Sequence, residues 1–332
     1  MSEKKSNYWQ IIVADDFELP SAPTVTVVQQ HWKRFVRLLG LQPKEPEKEK
    51  NNATELKENK SLNRKPALSK LEEYFREWEK KEESTVCFLL DPPFSGVNDI
   101  ARDWAKKHKW KSLKPPDKGK IKNKNVDGWW KEQKTKGQWF IDDFTRYFIR
   151  TADGLSFIRT LLPGMIRGDF GQGLVVCDSW MFVFLQRIWP FISPKIYCFA
   201  AAGPELLKQA GIHAPEKDLR KLAAYVRGNA GIALAVWSVE QDKDKKLPEL
   251  PAGSNDTTAF ILYSILLHRG LGSDLLQEIL STISSEELNV KLLQLEQYGI
   301  LQNIENQWKI DIHAYLAVRD FLSSRDFLLD GF

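Results

Sequence analysis

Two strand-length runs of unbroken apolar residues, each closed by an aspartate and followed at once by helix-compatible sequence, constrain the chain most. The first is Val86-Cys-Phe-Leu-Leu90, ending in Asp91-Pro-Pro; the second is Gly173-Leu-Val-Val-Cys177, ending in Asp178-Ser-Trp180. A strand that is apolar at every position, rather than at every second one, is buried on both faces, as in a parallel sheet covered by helices. Lys195-Ile-Tyr-Cys-Phe-Ala200 supplies a third such run. Strands alternating with helices predict an α/β fold: a parallel sheet with helices on both faces.

The rest of the chain is organised around this core. A hydrophobic piece from Trp9 to Val13 and an amphipathic helix from Val25 to Leu41 form an N-terminal segment, residues 1–41. Residues 42–66 are rich in Pro, Lys, Glu and Asn, too polar to offset their ordering entropy, and predict a disordered linker. Leu68, Leu71, Tyr74, Phe75 and Trp78 then fall at helical spacing and open the α/β domain, residues 67–203. Within it, Trp139 to Ile149 reads as helical. Residues 204–240 are all-helical, and residues 241–255 are a charged, Pro-rich linker. Residues 256–332 read as three helices, a hairpin from Ile300 to Ile312 and a last helix, which is the winged-helix layout.

The turn after the first strand, Asp91-Pro-Pro-Phe-Ser-Gly-Val-Asn-Asp99, enters a helix. This strand–turn–helix context is the one in which backbone N–H groups and a helix N-terminus cradle a phosphate. A P-loop also needs a lysine for the β/γ-phosphates and a Ser/Thr hydroxyl for magnesium. Here Asp91 and Phe94 stand at glycine positions and Gly96 matches the last glycine. Val97 replaces the lysine and Asn98 the hydroxyl residue, while Pro92 and Pro93 remove two donors. Two readings stay open: a residual nucleotide-binding loop using Phe94, Ser95, Gly96, Val97, Asn98 and Asp99, or a turn capped by Asn98 or Asp99. Asp178 likewise either holds magnesium at the crevice of the sheet or caps the helix that follows it.

Together these features resemble the AAA+/STAND superfamily of P-loop ATPases in a diverged form. The resemblance rests on order: P-loop-like turn, strand ending in Asp178, a third strand, a helical lid and a winged helix. Arg227-Gly-Asn-Ala-Gly-Ile-Ala233 is similar to the family's lid signature, with Ala230 where proline is usual. The resemblance implies ATP or ADP with magnesium as ligand, adenine near that lid turn and Arg227 near the phosphates. The departures at Asp91, Phe94, Val97, Asn98 and Ser179 all subtract from hydrolysis. They point to a regulatory or scaffolding protein on a degenerate core, acting through protein contacts. An active ATPase would need a lysine brought in from elsewhere.

That source would be the stretch from Lys106 to Lys136, where twelve lysines and no arginine meet only Asp117, Asp127 and Glu132. The whole chain carries just +4. Trp110, Trp129 and Trp130 beside those lysines offer stacking or headgroup contact, so nucleic acid or an anionic membrane is a further partner class. A solvated loop is the plainer alternative. The third helix of the last domain has Glu286, Glu287, Lys291 and Glu296, which opposes DNA phosphate contact and favours docking to protein. Phe327-Leu-Leu and Phe332 read as exposed anchors for such docking. Cys87, Cys177 and Cys198 lie in apolar runs, the five histidines lack ligand spacing, and no run spans a membrane, so a cytoplasmic protein is expected.

Overall fold

A computed structural model describes residues 8–21, 63–80, 86–135, 137–190, 195–242 and 245–332. The expected helix from Val25 to Leu41 and nearly all of the expected linker lie outside the described residues; the linker's last two positions belong to helix α1 (Lys65–Glu79).

The protein is a mixed α/β fold on a mostly parallel six-stranded sheet flanked by helices. In chain order the strands are β1 (Ile11–Val13), β2 (Val86–Asp91), β3 (Lys111–Ser112), β4 (Trp139–Ile141), β5 (Gly173–Asp178) and β6 (Ile196–Phe199). Across the sheet they run β1-β6-β2-β5-β4-β3, and only β1 is antiparallel to its neighbour. All six residues of β2 and of β5 are buried, as their unbroken apolar runs require.

Side chains leave the two faces alternately. Cys87, Leu89, Leu174 and Val176 pack into one core with Phe75 of α1 and Trp104 of α2 (Val97–Lys107). Phe88, Leu90, Val175 and Cys177 pack into a second core with Phe157 of α5 (Ala152–Arg167) and Met181 of α6 (Ser179–Ile188). The intervening helices are α3 (Lys118–Lys122), α4 (Val126–Gln133), α5 (Ala152–Arg167) and α6 (Ser179–Ile188). From β2 the chain crosses to β3 at the far edge; from β5 it crosses to β6 on the other side of β2. Connections that diverge from neighbouring strands leave a crevice outside their carboxyl ends. Asp91 and Asp178 pair in register at that place.

Beyond the sheet come α7 (Pro204–Gln209), α8 (Glu216–Tyr225) and α9 (Ala230–Glu240). The C-terminal segment comprises α10 (Asp256–Leu267), α11 (Ser273–Ile279), α12 (Ser285–Gln297), the antiparallel pair β7 (Leu301–Ile304) and β8 (Gln307–Ile310), and α13 (Tyr315–Ser323). Glu305 and Asn306 both take positive φ, the geometry of a tight two-residue hairpin turn.

Several local expectations differ from the structure. Trp139 to Ile149 is a three-residue strand followed by a short 3-10 turn, Phe144–Tyr147, instead of a helix. Strand and buried helix are indistinguishable in so short an apolar run. Trp110 and Trp129 are buried and Trp130 is half-buried, so the indole rings face inward between α4, β4 and Tyr147 or against Trp78 and Trp104. Phe327 packs on Phe260 and Tyr263, and Phe332 packs on Phe17. These anchors are thus turned back onto the molecule. Among the described residues, no single helix is long and apolar enough to cross a membrane.

Candidate functional site

The crevice at the ends of β2 and β5 collects three ionisable side chains in nearly dry surroundings. Asp91 is fully buried and Asp178 almost so. Between them lies Arg269 from the loop joining α10 and α11: its Nη2 donates to Asp91 Oδ2 at 2.5 Å, and its Nε stands 3.1 Å from Asp178 Oδ2. Two buried carboxylates share one guanidinium. Burial pushes the Asp178 carboxyl up to about 8, with Arg269 opposing the rise and Asp91 adding to it. Burial alone would lower Arg269; the two aspartates hold it above its ordinary value.

Both aspartates also organise backbone. Asp178 caps α6, accepting from the N–H groups of Trp180 at 2.8 Å and Met181 at 3.3 Å through Oδ1. Asp91 accepts from Ser95 Oγ at 2.5 Å, and Ser95 Oγ in turn accepts from Val97 N at 3.2 Å. Gly96, with φ +75, takes the N-cap position of α2. Asn98 and Asp99 sit inside the first turn of α2 rather than capping it. Asp99 pairs with Arg64 and Arg102. Val97, in the lysine position, is buried in the apolar core.

Arg269 is placed by its neighbours. Its backbone takes φ +57, a left-handed conformation that ends α10 and is costly for a residue with a Cβ. The preceding His268 is buried, stacks on Phe148 with ring centroids 5.1 Å apart, and accepts from Arg150 N on Nε2 at 3.2 Å. Its Nδ1 lies 2.8 Å from Ser264 O, so Nδ1 carries the hydrogen. Burial lowers His268 to about 4, which keeps it neutral in that role.

The turn preceding α9 closes over the Asp91–Asp99 turn. Asn229 caps α9 by accepting from Ile232 N at 3.1 Å, and its Nδ2 donates to Pro93 O at 2.8 Å. Gly231 approaches so closely that a Cβ there would stand 2.0 Å from Phe94 O. Phe94 packs on Tyr315 of α13. Arg227, half-buried, donates through Nε to Phe332 O at 3.5 Å, and burial beside Arg319 lowers its pKa. The cavity left between Trp9, Phe17, Ser95, Arg227, Asn229 and Phe332 measures about 40 Å³. Ligand pockets run to roughly 300–1,000 Å³, and a water takes about 30 Å³.

The structure therefore brings together Phe94, Ser95, Gly96, Asp178 and Arg227 around one crevice, and adds Arg269 and Arg64, which sequence reasoning missed. Arg64 falls within the stretch expected to be a linker; Arg269 lies 178 residues from Asp91 and carries no local signal. Among the described residues, no group of three or more His, Cys, Asp or Glu is arranged to hold a metal ion.

No protein-family model matches the chain. No curated protein matches it. Among solved structures it is similar to the Walker-type ATPase PABY2304 of Pyrococcus abyssi, at 12% identity over 78% of this chain and 96% of that one, TM-score 0.34. It is also similar to the RuvB Holliday junction branch migration motor of Thermotoga maritima, at 17% identity over 77% and 93%, TM-score 0.32. The ORC2 protein of Aeropyrum pernix, solved as ADPNP-ADP complexes, is 10% identical over 78% and 93%, TM-score 0.30.

Proposed function

We propose that this chain is a regulatory or scaffolding protein on a degenerate AAA+-like core, one that works through protein contacts and does not hydrolyse nucleotide. The observation that carries this reading is Arg269 between Asp91 and Asp178. A magnesium nucleotide would need Asp178 for the metal and a cation beside the phosphates. The guanidinium comes instead from the chain's own winged-helix-like segment and neutralises the acids from within.

Three further features support the reading. Val97 puts a buried valine where the phosphate-binding lysine would stand. Pro92 and Pro93 present no N–H, and the Phe94 carbonyl is covered by Gly231. The remaining cavity of about 40 Å³ is far below nucleotide size. These features count against ATP or ADP with magnesium at this place.

The lysine-rich stretch fits the same reading. Lys107, Lys120, Lys122 and Lys124 pair with Glu72, with Asp117 and Glu132, with Glu278, and with Asp153. Lys122 and Glu278 tie α3 to α11, and burial of Trp110 and Trp129 counts against their stacking on bases.

Calorimetric titration with ATP and ADP, with and without magnesium, tests the reading, together with thermal melts. A ligand at about 100 times its Kd adds about 2.7 kcal/mol of stability. The expected result is no heat and no rise in Tm. Saturable binding that is lost in Asp178→Ala would overturn the reading.

A further inference from the structure

Immediately beside the crevice, the chain has built a site for a carboxylate and an aromatic ring, and it fills that site itself. Asp330 is only 3% exposed. Ser179, next in sequence to Asp178, donates through Oγ to Asp330 Oδ2 at 2.6 Å. Arg319 of α13 donates to Asp330 Oδ1 and, at 2.8 Å, to its backbone carbonyl. Arg319 is itself buried and lies over the Trp180 ring at 5.6 Å. Two residues on, the Phe332 ring meets Phe17 at 4.9 Å, and Arg227 Nε donates to the Phe332 carbonyl.

How the segment is held matters as much as what holds it. Residues 327–332 belong to no helix or strand. Among the described residues, no backbone-to-backbone hydrogen bond holds residues 328–332; the last such bond runs from Phe327 N to Leu322 O. Side chains alone fix the segment, so it opens at less cost than a strand in a ladder. Exchanging one buried ion pair for an equivalent one leaves no charge uncompensated, so the exchange itself costs little. A second segment of the same chemistry would satisfy Ser179, Arg319 and Arg227 just as Asp330 and Phe332 do.

We infer that this groove is a peptide-recognition site, occupied in cis by Asp330-Gly331-Phe332, and that it takes in trans a partner protein's segment carrying a carboxylate two residues before an aromatic ring. Ser179 and Arg319 read the carboxylate, Phe17 reads the ring, and Arg227 holds the backbone carbonyl beside it. The inference rests on the reading that this protein acts through protein contacts.

The test uses the full chain with Asp330→Ala and Phe332→Ala, which removes both side chains from the groove, and a fluorescent peptide Phe-Leu-Leu-Asp-Gly-Phe followed by anisotropy. The vacated chain should bind the peptide at least about tenfold more tightly than wild type, whose own segment competes at high effective concentration. A peptide with Asn for Asp should lose on the order of tenfold or more, because a buried guanidinium loses its charged partner. Equal binding by the folded variant and wild type, or indifference to the Asn exchange, would overturn the inference. Should the variant melt without cooperativity, NMR on wild type decides instead. Excess peptide must move the Asp330, Gly331 and Phe332 amide resonances toward sharp, random-coil positions and leave those of β5 unchanged; no change refutes the site. ATP in a parallel sample separates the two proposals, since displacement of the peptide by ATP counts against the closed core, whereas failure of the peptide alone counts only against the groove.

Discussion

Asp91 and Asp178 face each other in register at the ends of two parallel strands, and a single guanidinium, distant in sequence from both, serves the pair. Without Arg269, two acids would share a dry pocket with no cation between them. Removing one partner of a buried pair costs about 3–5 kcal/mol, and the fifth of the Arg269 side chain that remains exposed favours the lower end. Arg269→Met should therefore lower stability by about 3 kcal/mol in urea unfolding. Adding Asp91→Asn and Asp178→Asn should recover most of that loss. Strict additivity of the three changes would show that the groups do not interact.

A second consequence concerns pH. Asp178 rises from its ordinary 3.8 to about 8 chiefly through burial, with Arg269 opposing. Its folded form binds the proton more tightly, so the stability it contributes is complete below about pH 4 and is lost as pH climbs to about 8. His268 acts in the opposite sense: burial lowers it from 6.5 to about 4, so its contribution is present above 6.5 and lost as pH falls toward 4. Glu240, raised from 4.5 to about 7 by burial, acts in the same sense as Asp178, with its loss ending about a unit lower. Between pH 7 and 8, then, the urea midpoint of wild type should fall, and Asp178→Asn should flatten most of the slope. An equal slope in both proteins would assign the effect elsewhere.

Steric closure of the turn is open to a simpler test. At Gly231 an added methyl would collide with the Phe94 carbonyl, whereas at Gly137 it would meet nothing within 4 Å. Gly231→Ala should cost about 1–3 kcal/mol as an overpacking change, with faster hydrogen exchange at Ile232 as α9 lifts from the turn. Gly137→Ala should leave the urea midpoint where it is.

For the lysine-rich stretch, structure and charge make separable demands. Trp129 is about 1% exposed and donates through Nε1 to Lys114 O at 2.8 Å. Trp129→Ala should cost about 3–5 kcal/mol, the range for deleting a buried aromatic side chain. Lys124→Glu breaks only a half-exposed pair with Asp153 and should stay within about 0.5 kcal/mol. Tryptophan emission should be unchanged on titration with single-stranded oligonucleotide; strong quenching would indicate an indole platform.

The parts of the fold that can be read from sequence share one property: their signal is local. Val86–Asp91 and Gly173–Asp178 declare themselves as buried parallel strands because every residue is apolar until the terminal aspartate. The hairpin of the last segment is legible from its position after three helices. Trp139–Ile141 is misleading because three apolar residues fit either period, and Lys111–Ser112 carries no apolar signal at all. Trp110 and Trp129 look like surface rings because lysines surround them in sequence, yet lysine stems project outward around inward-facing indoles. Arg269 is illegible for a different reason. It sits in a His-Arg-Gly turn with nothing in its own neighbourhood to tie it to Asp91, and only the docking of α10 on the sheet brings the two together.

The distance along the chain between Asp91 and Arg269 also has a consequence for biogenesis. Synthesis proceeds at about 5–20 residues per second, so 178 residues separate the emergence of the acid from that of its cation by roughly 9–36 s. From the emergence of Asp178 until that of Arg269, the nascent sheet carries two carboxylates that it cannot bury comfortably. The strands are therefore kept from settling until the final helices arrive, and pairings this distant in sequence slow folding. A ribosome stalled between Phe199 and Arg269 would leave all six strands made but their two aspartates without a cation, so translation rate bears on this protein as well as its equilibrium stability does.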